Sequence, residues 1–338
     1  MNERKFSVAV VGATGIVGRE LTNILDQRLF PLAELHLYAS ARSAGDVVIC
    51  GPLTSRVGLL GQARFTGTEI VFFAAGEQIS AEWVPRATEA GAVVIDTSLL
   101  FAADADVPLI VPEVNAAEMG SYVERNVIVS PDAIAIAAAI ALKPRHDAAG
   151  ITHLVATALE PVSGAGKAGI DEMQTQTVEL MNGRDADISV FPQRIAFNLI
   201  PQIGEFLSGG RTSQEEQTCV ALRRLLSDDL VIGLTRVRVP MFFGTAISAS
   251  IETLQPLSAE EAREILRGAP GVLLYDQEDA PQYSSPADAI GEDATCVGRI
   301  RAHEATNRLD LWITIDNMRK GSALNAVQIA EILTRDYL

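Results

Sequence analysis

The sequence predicts an α/β protein in two parts, a doubly wound parallel sheet followed by an α+β domain with a largely antiparallel sheet. Three observations predict it. Short apolar strands alternate with helical stretches up to about residue 144, the pattern of a parallel sheet covered by helices. A glycine-rich turn, Gly12-Ala13-Thr14-Gly15-Ile16-Val17-Gly18, follows the first strand. Beyond residue 144 longer strand candidates appear at 233–240, 246–254, 294–302 and 308–315, which read as antiparallel and hairpin-like. A chain of 338 residues suggests about two domains of ~150 residues each.

The first strand runs from Phe6 to Val11 without a polar interruption other than Ser7. Strand, glycine turn and the helical stretch from Arg19 to Leu25 form the geometry of a dinucleotide-binding loop. Glycines let the backbone approach a pyrophosphate, and the helix start favours its charge. The spacing is GxxGxxG, a variant of the usual fingerprint, and its place after the first strand gives it weight. The second strand, residues 35–39, ends in Ser40-Ala41-Arg42-Ser43. NAD-preferring folds place an acid there for the ribose hydroxyls. A cation among hydroxyls instead suits a 2′-phosphate, so the expected cofactor is NADP.

Further strands are predicted at 70–76, 92–96, 109–115 and 127–129, with a helix over 80–91. Ser130-Pro131-Asp132 then turns into a long Ala/Ile helix, with Asp132 as its cap and Pro144 just past its end. One step inside such a helix start a cysteine would be held as a thiolate able to attack a carbonyl. The chain has Ala133 there. Next come a strand over 153–159, a second glycine-rich loop over 162–169 and a helix from 171 to 181. Residues 191–206 read as apolar loop. Helices are predicted over 214–226 and 258–266, the latter with Ser258 and Glu261 as a capping box. A small-residue helix over 316–333 closes the chain.

Net charge is −16 and the pI about 4.7, which argues against nucleic-acid or acidic-membrane partners. Cys50, Cys219 and Cys296 are scattered and form no metal or CxxC spacing. With no signal-like apolar leader and no run of ~18 apolar residues, a reduced cytoplasmic setting is expected.

Taken together, Gly12–Gly18, Ser40–Gly45, Val107-Pro-Leu-Ile-Val-Pro-Glu-Val-Asn115, Val162-Ser-Gly-Ala-Gly166, Arg238-Val-Pro240, Val297-Gly-Arg-Ile-Arg301 and the stretch from Asp316 to Glu331 resemble the aspartate-semialdehyde dehydrogenase family. The likeness runs nearly end to end. It implies a Rossmann-type NADP domain over 1–130 completed by 319–338, and a dimerisation and catalytic-type domain over 131–318. It also implies a homodimer, and cofactor contacts from Gly12, Thr14, Gly15, Ile16, Val17, Ser40, Arg42, Ser43, Ser163, Gly164, Gly166 and Asn317. In that family a cysteine thiolate, a histidine acid/base and anion-binding arginines reductively dephosphorylate aspartyl phosphate to the semialdehyde.

The departures fall on that chemistry. The family's Asn-Cys pair becomes Asp132-Ala133, and its Gly-His pair becomes Gly244-Thr245. An alanine methyl forms no thioester, and a threonine hydroxyl is a poor base near neutral pH. The phosphate-binding arginine aligns with Ala102, the glutamine before the second glycine loop with Glu160, and a substrate-side lysine and glutamate with Thr218 and Leu222. Arg238 remains as the substrate-side cation. Asp132 and Glu160 are expected to repel a doubly anionic substrate, at on the order of 3–4 kcal/mol per contact. Three functions fit: a non-classical (Usg-type) paralogue that binds NADP without the family's reaction, an NADP-dependent reductase of a small anionic carbonyl compound without covalent cysteine catalysis, or an interaction subunit pairing with an active homologue. No metal site is expected.

Overall fold

Continuous apolar runs build the first sheet. In the computed structural model, which describes residues 4–51, 53–276, 282–303 and 306–338, the chain divides into two compact units, Met1–Asp132 with Ser322–Leu338, and Ala133–Gly321. The first unit contains β1 (Phe6–Val11), α1 (Ile16–Gln27), β2 (Leu32–Ala39), β3 (Val47–Cys50), β4 (Leu53–Leu59), β5 (Ile70–Phe73), α2 (Glu77–Glu89), β6 (Val93–Asp96), α3 (Pro112–Asn115) and β7 (Val127–Val129). The second contains α4 (Ala133–Ala149), β8 (Ile151–Glu160), α5 (Gly166–Met181), α6 (Ser213–Leu225), β9 (Val231–Arg238), β10 (Thr245–Thr253), α7 (Ala259–Arg267), β11 (Val272–Tyr275), β12 (Thr295–Ala302) and β13 (Arg308–Ile315). A π-helical turn (Arg319–Leu324) leads into α8 (Asn325–Asp336).

The first sheet has the order β3-β4-β2-β1-β5-β6-β7 and is parallel except for β3. Its central strands are buried on both faces, as a parallel sheet between helices requires. α1 turns Leu21, Ile24 and Leu25 inward, and α8 adds Val327, Ile329 and Leu333 to the same core. The Asn325 amide in that unit donates to the Ile110 carbonyl and to Ser130 Oγ. The strands β3 and β4 have no counterpart among the predicted elements. They lie at the sheet edge, where Thr54, Ser55 and Arg56 dilute the apolar signal.

The second sheet, β11-β12-β13-β10-β8-β9, is antiparallel at its centre. The expectation of antiparallel strands fails at both edges, where β9 runs parallel to β8 and β11 parallel to β12. For β8 and β9 the helices α5 and α6 stand between the paired strands, and such a crossover permits parallel pairing. Residues 109–115 are not a strand: only Leu109 bridges to Val129, and Pro112 starts a helical turn.

Pro144 does not end α4, which continues to Ala149. Burial of Arg145 and Ala149 carries the packing past the proline. The stop comes at Gly150, whose φ of +66° suits a left-handed cap and whose N–H donates to the His146 carbonyl at 2.8 Å. Its near-uniform apolar sequence reflects burial along most of its length. α5 begins at Gly166 and not at 171, after a short 3-10 turn over Val162–Ala165. The predicted capping boxes and helix starts hold for α7, and α6 has a second box between Thr212 and Glu215.

Candidate functional site

In the first unit the glycine turn is held where side chains cannot enter. Gly12 has φ +89°, and a Cβ there would lie 2.5 Å from the Ala74 carbonyl oxygen. A Cβ on Gly18 would lie 2.1 Å from the Gly12 oxygen, so α1 packs directly on the turn. Thr14, Gly15, Ile16 and Val17 lie in that turn and at the start of α1. No side chain caps α1 at Gly15, and its first turn has no acid. Its opening N–H groups therefore suit an anionic group. Beyond β2, Ser43 and Ala44 donate their N–H groups to the Ser40 carbonyl, and Arg42 is exposed on that turn. Arg42 has no ion-pair partner among the described residues. These features fit a dinucleotide with charge at the helix start and at Arg42.

At the end of β6, Asp96 is wholly buried, and its two oxygens accept from Ser80 Oγ at 2.6 Å and Ser98 Oγ at 2.7 Å. Burial pushes its carboxyl above the ordinary range, against those two hydrogen bonds. Ala102 is buried in the same unit.

In the second unit α4 opens on Ala133, and its methyl meets Gly321: a Cβ on Gly321 would lie 2.6 Å from the Ala133 Cβ. The Gly321 N–H donates to the Asp316 carbonyl at 2.8 Å, so the 316–321 turn is folded against the start of α4. Next to this turn, Asn317 bonds two segments. Its Nδ2 donates to Ser163 Oγ at 3.0 Å, and its Oδ1 accepts from the Gly244 N–H at 2.9 Å. Gly244 has φ +83° with the Pro286 carbonyl 2.3 Å from where a Cβ would stand, so the turn into Thr245 requires glycine. Thr245 is buried at the first residue of β10.

The charged part of the site lies where β8 and β9 end side by side. Their parallel register sets Ala158 beside Arg236 and Glu160 beside Arg238. Period two puts Glu160, Arg236 and Arg238 on one face. All three are buried. Arg236 Nε donates to Glu160 Oε1 at 2.5 Å and Nη2 to Oε2 at 2.9 Å, a bidentate pair. Its Nη1 donates to Thr218 Oγ1 at 2.7 Å and the Gln214 carbonyl at 3.1 Å, both on α6. Glu215 accepts from the N–H groups of Arg236 and Thr212. Arg238 Nη1 donates to the Pro161 carbonyl at 2.6 Å and stands 3.7 Å from Glu160 Oε2. The guanidinium lies on Gly164, where a Cβ would approach Nη1 to 2.5 Å. Burial pushes its pKa below the ordinary value, with Glu160 opposing and Arg236 adding to the fall.

Glu160 is therefore not the uncompensated carboxylate expected from the sequence: Arg236 neutralises it, and its repulsion of anions is cancelled at close range. Arg236 was absent from the predicted site residues. The signal was present in Thr235-Arg236-Val237-Arg238, since two arginines two apart in a strand must share a face. Leu222 is buried on α6. The three cysteine thiols are buried and pushed up by that burial, so none is a ready nucleophile. Among the described residues no cluster of three His, Cys, Asp or Glu side chains could hold a metal, and no helix is long and apolar enough to cross a membrane.

A nucleotide-type glycine turn in one unit and a buried arginine–carboxylate cluster in the other define a two-domain dehydrogenase-type chain. Residues 7–122 match the semialdehyde dehydrogenase NAD binding domain, and residues 142–320 the semialdehyde dehydrogenase dimerisation domain. The chain belongs to the aspartate-semialdehyde dehydrogenase family. It is 42% identical over 336 residues to the aspartate-semialdehyde dehydrogenase of Rickettsia bellii, covering 99% of each chain. It is also 42% identical to aspartate-semialdehyde dehydrogenase 2 of Vibrio cholerae, again over 99% of each. The crystal structure of aspartate semialdehyde dehydrogenase II from Vibrio cholerae, complexed with ASA, superposes with a TM-score of 0.96 at 41% identity, covering 99% of this chain and all of that one.

Proposed function

We propose that this chain is a non-classical member of the family that binds NADP and a small anion but does not carry out the phosphorylating semialdehyde dehydrogenase reaction. The single observation that carries the reading is Ala133 at the first residue of α4, where the family's nucleophile stands. A methyl carries no lone pair to add to a carbonyl and no leaving-group chemistry to hold an acyl intermediate. Thr245 in place of the histidine removes the matching acid/base. The names of the relatives describe the active enzyme, and these two residues set this chain apart from that description.

The reading assigns the nucleotide to Gly12, Thr14, Gly15, Ile16 and Val17, with Ser40, Arg42 and Ser43 receiving the 2′-phosphate. Ser163, Gly164, Gly166 and Asn317 are the further cofactor-binding residues that the family resemblance implies. When bound, a reduced nicotinamide would supply hydride. The chain's own residues supply anion binding at Arg238, whose Nε and Nη2 have no partner among the described residues. The assembly is a homodimer through the uncovered face of the second sheet, where Val155, Thr157, Val231 and Thr235 are exposed.

Two measurements test this. Calorimetry should find NADP bound more tightly than NAD, with the preference lost in Arg42→Ala. Purified protein given aspartate semialdehyde, phosphate and NADP should produce no NADPH above the rate without enzyme. Turnover near that of the family's enzymes would overturn the reading.

A further inference from the structure

In the first unit the connection from β4 to β5 makes one short 3-10 turn, Leu60–Gln62, and then continues without regular structure to residue 69. It leaves a cleft of about 360 Å3 against α2. Trp83, Arg86 and Ala90 line the cleft from α2 and its cap, at a spacing that puts them on one helix face. Gln62, Arg64 and Thr66 line it from the connection. That connection is anchored. Phe65 is buried in T-shaped contact with Tyr38, 5.7 Å between ring centres, and the Tyr38 hydroxyl donates to the Arg64 carbonyl at 3.3 Å.

The lining is cationic in an acidic chain. The protein carries 43 Asp and Glu against 27 Lys and Arg, yet among the described residues two arginines and no carboxylate line this cleft. The Arg86 guanidinium lies 4.3 Å from the centre of the Trp83 ring. It also pairs with Glu82 at 3.2 Å, where both side chains are more than half exposed and solvent screens the pair. The Arg64 side chain and the Trp83 indole N–H have no hydrogen-bond partner among the described residues, and neither do the backbone N–H groups of Arg64, Phe65 and Thr66. We propose that this cleft binds a tetrahedral dianion, inorganic phosphate or the phosphate of a small monoester. Arg64 and Arg86 are its cations and Trp83 Nε1 a neutral donor. Two guanidinium forks match a dianion, and stacking on Trp83 fixes the plane of one of them. The volume is that of a small-ligand site. Neither the glycine turn nor Arg42 lines the cleft, so the site is distinct from the one assigned to the nucleotide.

The chain has two tryptophans, so Trp312→Phe leaves Trp83 as the only indole and makes its fluorescence a local reporter. At constant ionic strength, inorganic phosphate should change that emission saturably and chloride should not. In this background Arg64→Ala and Arg86→Ala should each raise the phosphate Kd at least tenfold, whereas Arg42→Ala should leave it within twofold. Ribose 5-phosphate separates the two sources: tighter binding than inorganic phosphate assigns the cleft to a monoester, and equal or weaker binding assigns it to the free ion. No saturable change, the same change with chloride, a Kd unaltered in Arg64→Ala, or a response lost in Arg42→Ala overturns the proposal. If Trp312→Phe does not fold, calorimetry of phosphate with wild type and with Arg64→Ala reads the same site by difference, and equal heats overturn it. No arm depends on NADP.

Discussion

Glu160 holds Arg236 with both carboxylate oxygens across the parallel β8–β9 pair, inside a site from which water is nearly excluded. Two buried charges in this arrangement depend on each other. Removing one partner leaves the other unpaired, whereas removing both leaves a neutral gap. Arg236→Met should therefore destabilise the protein by about 3–5 kcal/mol, and Glu160→Gln/Arg236→Met by much less. Denaturant titrations of the two single variants and the double variant close the cycle. Additive effects would show that the pair is not coupled.

Asp96 offers a pH test. Burial raises its folded-state pKa above the unfolded value. The folded state therefore binds the proton more strongly, and this contribution to stability is complete below the unfolded pKa. It fades as pH rises from about 4 through the folded-state pKa. Asp96→Asn, which cannot ionise, should gain on wild type as pH rises over that window and match it most closely at acid pH. Thermal melts between pH 4 and 8 measure the difference. A gap that widens toward acid would contradict the assignment.

Arg145 is fully buried on α4, and only Nη1 finds an acceptor, the Ala141 carbonyl at 2.8 Å. Its Nε and Nη2 have no hydrogen-bond partner among the described residues. Burial lowers its pKa to about 9, with Asp276 opposing the fall. At pH 7 it is charged in both states, and the folded state bears the unmet donors. Arg145→Met should stabilise the protein by about 1–3 kcal/mol. Stability of wild type should rise with pH above about 9 as the proton leaves the folded state first. Tm values of the two proteins at pH 7 and pH 10 check both statements.

The native thiols should be silent. Cys50, Cys219 and Cys296 are buried with raised pKa values. Ellman's reagent should release about three equivalents only in denaturant. Ala133→Cys should add one fast equivalent under native conditions, because a thiol at the start of α4 meets the positive end of the helix. A slow thiol there would mean that residue 133 is closed to solvent. On the proposed reading the same variant should still not turn over aspartate semialdehyde, since a threonine hydroxyl at 245 is a poor acid/base near neutral pH.

Gly18→Ala should disrupt the first unit. Its Cβ would stand 2.1 Å from the Gly12 carbonyl oxygen, a backbone atom that cannot give way without breaking the turn. Loss of nucleotide binding together with a fall of more than about 2 kcal/mol in stability is the expected outcome, measured by calorimetry and denaturant titration.

Much of this was legible in the chain itself. Buried parallel strands such as Ile70–Phe73 announce themselves as unbroken apolar runs. The glycine turn lies where backbone must meet backbone, and the residue identities at Ala133 and Thr245 need no structure to read. Signals failed where the local pattern was weak or overruled. The edge strands β3 and β4 bury too little to be periodic, and Pro144 looks like a stop until the packing around Arg145 and Ala149 carries the helix past it.

Sequence by itself determined the two-part architecture, the nucleotide turn and the residue identities at 133 and 245, because each rests on local periodicity or on the identity of one side chain. Only the tertiary structure decided the electrostatics of the arginine–carboxylate cluster. Glu160 and Arg236 are far apart in the chain, and whether a buried carboxylate repels or is neutralised depends on which side chain the strand register sets beside it.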